Sequence, residues 1–117
     1  MDNASLLVVA MAEQCRHLIQ ESTQDDSDLP QPLHASHLLK MSDSIKKHAD
    51  DWPATKLHRW IGFIQGGMMA NRMLDFAGAK AMFDEAKRAY GEGVVDQDLI
   101  DHLDADNAFR LDIGGEA

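Results

Sequence analysis

Apolar positions recur every three or four residues along most of this chain, and nowhere do they alternate over the length of a strand. That period predicts amphipathic helices. Over 4–22, Leu7, Val8, Met11, Cys15, Leu18 and Ile19 share one arc about 120° wide, with Glu13, Arg16 and Gln20 facing away. The polar run 24–28, with Pro30 and Pro32 behind it, cannot continue the helix. A second helix is predicted over 33–49 from Ala35, Leu38, Ser42, Ile45 and Ala49. Lys46 and Lys47 then lie in its last turns, where cations favour the helix C-terminus. The boundary falls at Asp51 or Trp52, because Pro53 suits the first position of a new helix and Trp52 can pack back on that helix's first turn.

The third helix, predicted over 53–73, is apolar or small nearly all round. Leu57, Trp60, Ile61, Ile64 and Met68 form one broad face, with Phe63 at its edge. Gly62, Gly66, Met69 and Met73 share the reverse side with His58, Arg59 and Gln65. Such a helix is expected to be central and buried. Glycine inside a helix costs about 1 kcal/mol relative to alanine, so Gly62, Gly66 and Gly67 call for an offsetting gain. The expected gain is close approach of another helix at Gly62 and Gly66, by analogy with small-residue spacing in membrane helices; Gly66-Gly67 is alternatively a kink. A fourth helix, over 75–90, carries Phe76, Ala79, Met82, Phe83, Ala86 and Tyr90 on one arc. Asp75 suits its N-cap, Lys87 and Arg88 its last turn, and Gly91 its stop. Val95, Leu99 and Leu103 share a face and allow a short fifth helix.

These elements predict an all-α fold, a compact bundle of four or five helices over 1–93, followed by an acidic C-terminal tail over 94–117. A chain of 117 residues has room for one domain with its own core. Trp60, Ile64 and Phe83 are the candidate core anchors. Charge changes the picture only at the C-terminal end. Residues 91–117 hold eight acids (Glu92, Asp96, Asp98, Asp101, Asp104, Asp106, Asp112 and Glu116) against Arg110 alone, a net −7 of the chain's −9. Acidic segments poor in aromatics resist packing and serve as solvated or interaction tails. A calcium loop is not formed, since Asp96-x-Asp98 and Asp104-x-Asp106 lack the central glycine and terminal glutamate.

Candidate chemistry is sparse. His34 and His37 stand three residues apart and could share a metal ion, but spacing fixes no third ligand, and neither HExxH nor CxxC occurs. No metal site and no cofactor are therefore expected. Paired ExxE acids, a phosphate loop and a G-x-S-x-G elbow are all missing from the body. The elimination weighs against an enzyme, and no catalytic residue is nominated. Lys56 and Arg59 flank Trp60 and could offer a cation–aromatic platform to nucleic acid, but with a body charge of −2 they read better as cations bordering an apolar face. Cys15, in the middle of its apolar arc, reads as a small buried hydrophobe. One cysteine cannot form an internal disulfide, the start Met1-Asp2-Asn3 lacks the positive region of a secretory signal, and no apolar run reaches about 18 residues. A cytoplasmic protein without direct membrane or nucleic-acid binding is expected.

The stretch Trp52-Pro53-x-x-Lys56-Leu57-x-Arg59-Trp60-Ile61-Gly62-Phe63-Ile64-Gln65-Gly66, preceded by His37-Leu38-Leu39-x-Met41, resembles a segment of small, uncharacterised helical proteins of bacteria and their tailed phages. The resemblance covers about 30 residues, from 37 to 66, and departs after Gln65-Gly66, where Gly67-Met68-Met69 stands in place of a longer apolar residue. It implies a phage, prophage or accessory origin and no catalytic role. The expected function is a non-enzymatic protein–protein interaction module, self-associating as a homodimer through Gly62, Gly66, Met69 and Met73. The alternative is an acidic decoy that competes for a nucleic-acid-binding partner, and a small helical enzyme or metal-binding protein ranks third.

Overall fold

A computed structural model describes residues 3–91. Within them lie α1 (Asn3–Glu21), α2 (Ala35–His48), α3 (Ala54–Ala70) and α4 (Phe76–Ala86). A short 3₁₀ turn, Gln31–Leu33, precedes α2, and a π-type turn, Lys87–Gly91, extends α4. Among the described residues there is no strand. The predicted tail over 94–117 and the possible fifth helix lie outside the described residues.

The hub of the bundle is α1, which packs against α2, α3, α4 and the 87–91 turn. Its predicted arc explains why. Leu7, Val8, Met11, Cys15 and Ile19 are buried, and Ala12 beside them lets neighbours close in. Leu38 and Ile45 of α2, Leu57, Ile61, Ile64 and Met68 of α3, and Met82 and Ala86 of α4 complete one continuous core. The expectation that α3 is central is corrected, because its outward side, including Thr55, Arg59, Gly62, Phe63, Gly66 and Ala70, is exposed. Ile64 is fully buried, whereas Trp60 and Phe83 are half-buried and pack on the rim of the core. Phe76 leaves the predicted arc altogether. It is 75% exposed at the first position of α4, outside the packed stripe of Ala79, Met82 and Ala86.

Helix ends are fixed by specific side chains. Asp75 caps α4, its Oδ1 accepting from the Gly78 amide at 2.7 Å. The boundary expected at Asp51 or Trp52 falls at Pro53, which is the N-cap residue of α3 rather than part of its first turn. The end of α3 comes three residues earlier than predicted. Met73 N donates to Met68 O at 2.8 Å and Arg72 N to Met69 O at 3.0 Å, the paired bonds of a Schellman motif, with Arg72 at φ 63°. At the other end of the bundle, the Ser5 hydroxyl donates to Ala49 O at 2.9 Å and closes the end of α2.

Asn71 fastens the long α1–α2 connection. Its side-chain amide donates to Leu33 O at 2.7 Å and to Gly67 O at 2.8 Å, and its Oδ1 accepts from Asp26 N at 2.7 Å. Within the same connection Asp25 Oδ1 accepts from Ala35 N at 3.3 Å, serving the first turn of α2 in place of a local cap. Asp26 Oδ1 accepts from Asp28 N at 2.9 Å and tightens the turn.

Candidate interaction surface

The 49–53 connection is short, so α2 and α3 run antiparallel, with Leu38 near the start of α2 set against Gly67 near the end of α3. Leu38, Ser42 and Ile45 of α2 turn into the core. The neighbouring stripe, His37, Lys40, Met41 and Ser44, lies at i, i+3, i+4 and i+7 and forms one wall of a groove on the outside. Arg59, Trp60 and Phe63 of α3 form the other wall. The groove measures about 600 Å³ and is open to solvent along its length. Met41 and Trp60 are half-buried and rest on the core, so the floor is apolar. Phe63 is 42% exposed at one lip, and Lys40 and Arg59 stand exposed on the rim.

An aromatic stack steadies one end of this groove. The His48 ring lies on Trp52 with centroids 4.6 Å apart and planes 8° from parallel. Trp52 in turn meets Trp60 at 4.6 Å and 60°. Lys56 Nζ sits 3.8 Å from the Trp52 centroid and 5.7 Å from that of Trp60. Lys56 is therefore held by the indoles, while Arg59 belongs to the groove. The two cations that sequence reading treated as a pair have different environments.

Three of the four candidate self-association residues, Gly62, Gly66 and Met69, fall on the outer side of α3, whereas Met73 lies beyond the end of the helix and packs against the core. At 100° per residue, Gly62, Gly66 and Met69 lie within an arc of roughly 60°. Gly62 and Gly66 are exposed, and a Cβ at either would meet nothing within 4 Å. The close approach expected there occurs one residue on. A Cβ at Gly67 would come within 2.7 Å of Leu38 Cδ2. Met69 and Met73 are half-buried and line a second depression of about 660 Å³ with Arg72, Leu74 and Asp75, at the C-terminal end of α3.

His34 and His37 have separate surroundings. His34 Nε2 lies 2.7 Å from Leu29 O, which makes Nε2 the protonated nitrogen, and His37 opens on the groove. Among the described residues no three of His, Cys, Asp and Glu gather as metal ligands. No described helix is long and apolar enough to cross a membrane. Sequence reading missed Lys40, Met41 and Ser44. Their signal is a second stripe at i, i+3, i+4 and i+7 beside the buried one, polar except for Met41. Comparison with protein-family models, curated proteins and solved structures finds no match for this chain.

Proposed function

We propose that this chain is a non-enzymatic protein–protein interaction module that self-associates through the outer face of α3. One observation carries the reading. Gly62 and Gly66 sit in mid-helix, exposed, with open space where their side chains would be. Each costs the helix about 1 kcal/mol relative to alanine. Gly67 has a return within the monomer, since it seats Leu38, but Gly62 and Gly66 have none among the described residues. A second copy laid along this face would find a low ridge that lets backbones approach closely. The exposed Phe63 ring stands beside that ridge, and the adaptable side chains of Met69 and Met73 end it. A two-fold pairing is the commonest way to bury such a face.

The experiment is the mass of the intact chain in solution across a range of concentrations, by light scattering or sedimentation. The wild type is expected to run as a dimer, and Gly66→Leu as a monomer with unchanged helical content. A wild type that stays monomeric throughout rejects the reading. A dimer untouched by Gly62→Leu and Gly66→Leu moves the interface elsewhere.

A further inference from the structure

We propose that the α2–α3 groove receives the chain's own acidic segment 96–106, which caps the groove from within the same chain. This inference does not rest on the α3 self-association reading, although Phe63 borders both surfaces.

The groove needs an occupant with both apolar and anionic character. Its floor is Met41 and Trp60, and its rim carries Lys40 and Arg59. Three surface cations have acidic partners, Arg16 with Asp43 at 3.0 Å, Lys46 with Glu13 at 3.1 Å and Lys80 with Asp84 at 3.2 Å. Among the described residues neither Lys40 nor Arg59 pairs with an acid. The sequence 96–106 supplies the complement. Leu99, Ile100 and Leu103 are set among Asp96, Asp98, Asp101, Asp104 and Asp106, in a region that holds −7 of the chain's −9. The size also agrees. A cavity of about 150 Å³ holds a benzene-sized group, so a groove of about 600 Å³ holds three aliphatic side chains with room for their backbone.

Residues 92–95 join the segment to the described chain. Residue 91 ends a turn packed on α1 and α4, while the groove lies on the side of α2 and α3 that faces away from the core. Residues 92–98 span roughly 23 Å when extended, at about 3.3 Å per residue. That is about two helix diameters. Tethering also raises the local concentration of the segment to roughly millimolar, so weak pairing suffices. Other occupants fit less well. Nucleic acid calls for clustered cations, and residues 1–90 carry a net −2. A small amphiphile is expected to be buried by some 70–90% in its pocket, and this groove is open along one side. In the capped state an outside partner for the groove must displace the segment, which lowers its apparent affinity by the fraction of open chains.

The test is cross-linking in the full chain with a short bis-maleimide. Ser44→Cys at the groove is combined with Ala105→Cys at the end of the segment, and Gln14→Cys on the exposed side of α1 replaces Ser44→Cys in the control pair. The expected result is a cross-link at monomer mass for the first pair and a much lower yield for the control. Lys40→Glu with Arg59→Glu should cut that yield about fivefold, as for two surface ion pairs. Adding Asp98→Lys and Asp101→Lys to the reversed groove should restore it. Equal yields from the two pairs, a yield blind to the charge reversals, or cross-links only between chains would each overturn the proposal. Should the reversed groove fail to fold, raising salt from about 0.05 to about 0.5 M replaces it as the perturbation, since exposed pairs are screened over that range. A yield that does not fall with salt overturns the proposal in the same way.

Discussion

Leu38 is seated directly on Gly67. A methyl group at position 67 would lie 2.7 Å from one Leu38 terminal carbon, 2.9 Å from the other and 3.3 Å from Cγ. Leu38 is fully buried, so its side chain would have to shift within the packed core to admit that methyl. This pair sets the distance between α2 and α3, and with it the shape of the groove on their outer side.

The three glycines of α3 should therefore respond with opposite signs. Gly67→Ala gains helix propensity of about 1 kcal/mol but overpacks a closed contact, which typically costs about 1–3 kcal/mol. A net loss of about 1 kcal/mol is expected. Gly62→Ala and Gly66→Ala meet nothing within 4 Å and should each stabilise the monomer fold by about 0.5–1 kcal/mol. Urea unfolding at concentrations below self-association measures all three. Equal shifts at positions 66 and 67 would contradict the Leu38–Gly67 contact.

This contrast also marks where sequence reading runs out. The 3.6-residue period places Leu7, Val8, Met11, Cys15, Leu18 and Ile19 on the buried side of α1; five are buried and Leu18 is half-buried. It identifies Asp75 as a cap and places the α2–α3 boundary to within two residues, because both are local decisions of the backbone. It does not tell which of two adjacent glycines faces a neighbour. Gly66 and Gly67 differ by 100° of rotation, and an α3 that is apolar on both sides gives no reference direction. The groove was hidden for a related reason. Lys40, Met41 and Ser44 acquire meaning only beside Arg59, Trp60 and Phe63, and that pairing is set by tertiary packing.

Asn71 is the second position where a distant partner decides the role. It is 1% exposed and links Asp26, Leu33 and Gly67 through three hydrogen bonds. Asn71→Ala removes all three and leaves buried backbone groups unsatisfied, each worth about 1–3 kcal/mol. A loss of about 2–4 kcal/mol is expected, with faster amide exchange and proteolysis concentrated in 22–34. Protection in 22–34 equal to that of the wild type would show that the connection is held by other contacts.

Arg72 takes the left-handed conformation that closes the Schellman motif, at φ 63°. A side chain there carries a steric cost that glycine escapes, roughly 1 kcal/mol. Arg72 is exposed, so little packing is lost on its replacement. Arg72→Gly should raise the urea midpoint by the equivalent of about 0.5–1 kcal/mol, and Arg72→Val should lower it. A destabilised glycine variant would mean that the Arg72 side chain contributes more than its backbone strain costs.

Cys15 supplies the pH dependence. It is fully exposed to the core and closed to solvent, with its Sγ 3.6 Å from Met82 Sδ. Burial disfavours the thiolate and pushes the thiol up to about 12 from 9.0. The folded chain keeps this proton at a pH where the unfolded chain has released it. The contribution is therefore fully present below about pH 9 and is lost as pH rises toward about 12. Cys15→Ala removes the titrating group and leaves a small cavity, at a cost of about 1–2 kcal/mol. The gap in denaturant midpoint between wild type and Cys15→Ala should begin to narrow near pH 9 and close or reverse by about pH 11, since only the wild type has this proton to lose, at about 1.4 kcal/mol per pH unit. Labelling gives a separate check at about pH 8. A disulfide reagent should modify the native protein far more slowly than the denatured chain, because the thiolate is scarce and the site opens only on unfolding. A midpoint gap that stays constant with pH, together with native labelling as fast as denatured, would place Cys15 at the surface and contradict the packing of α1 against α4.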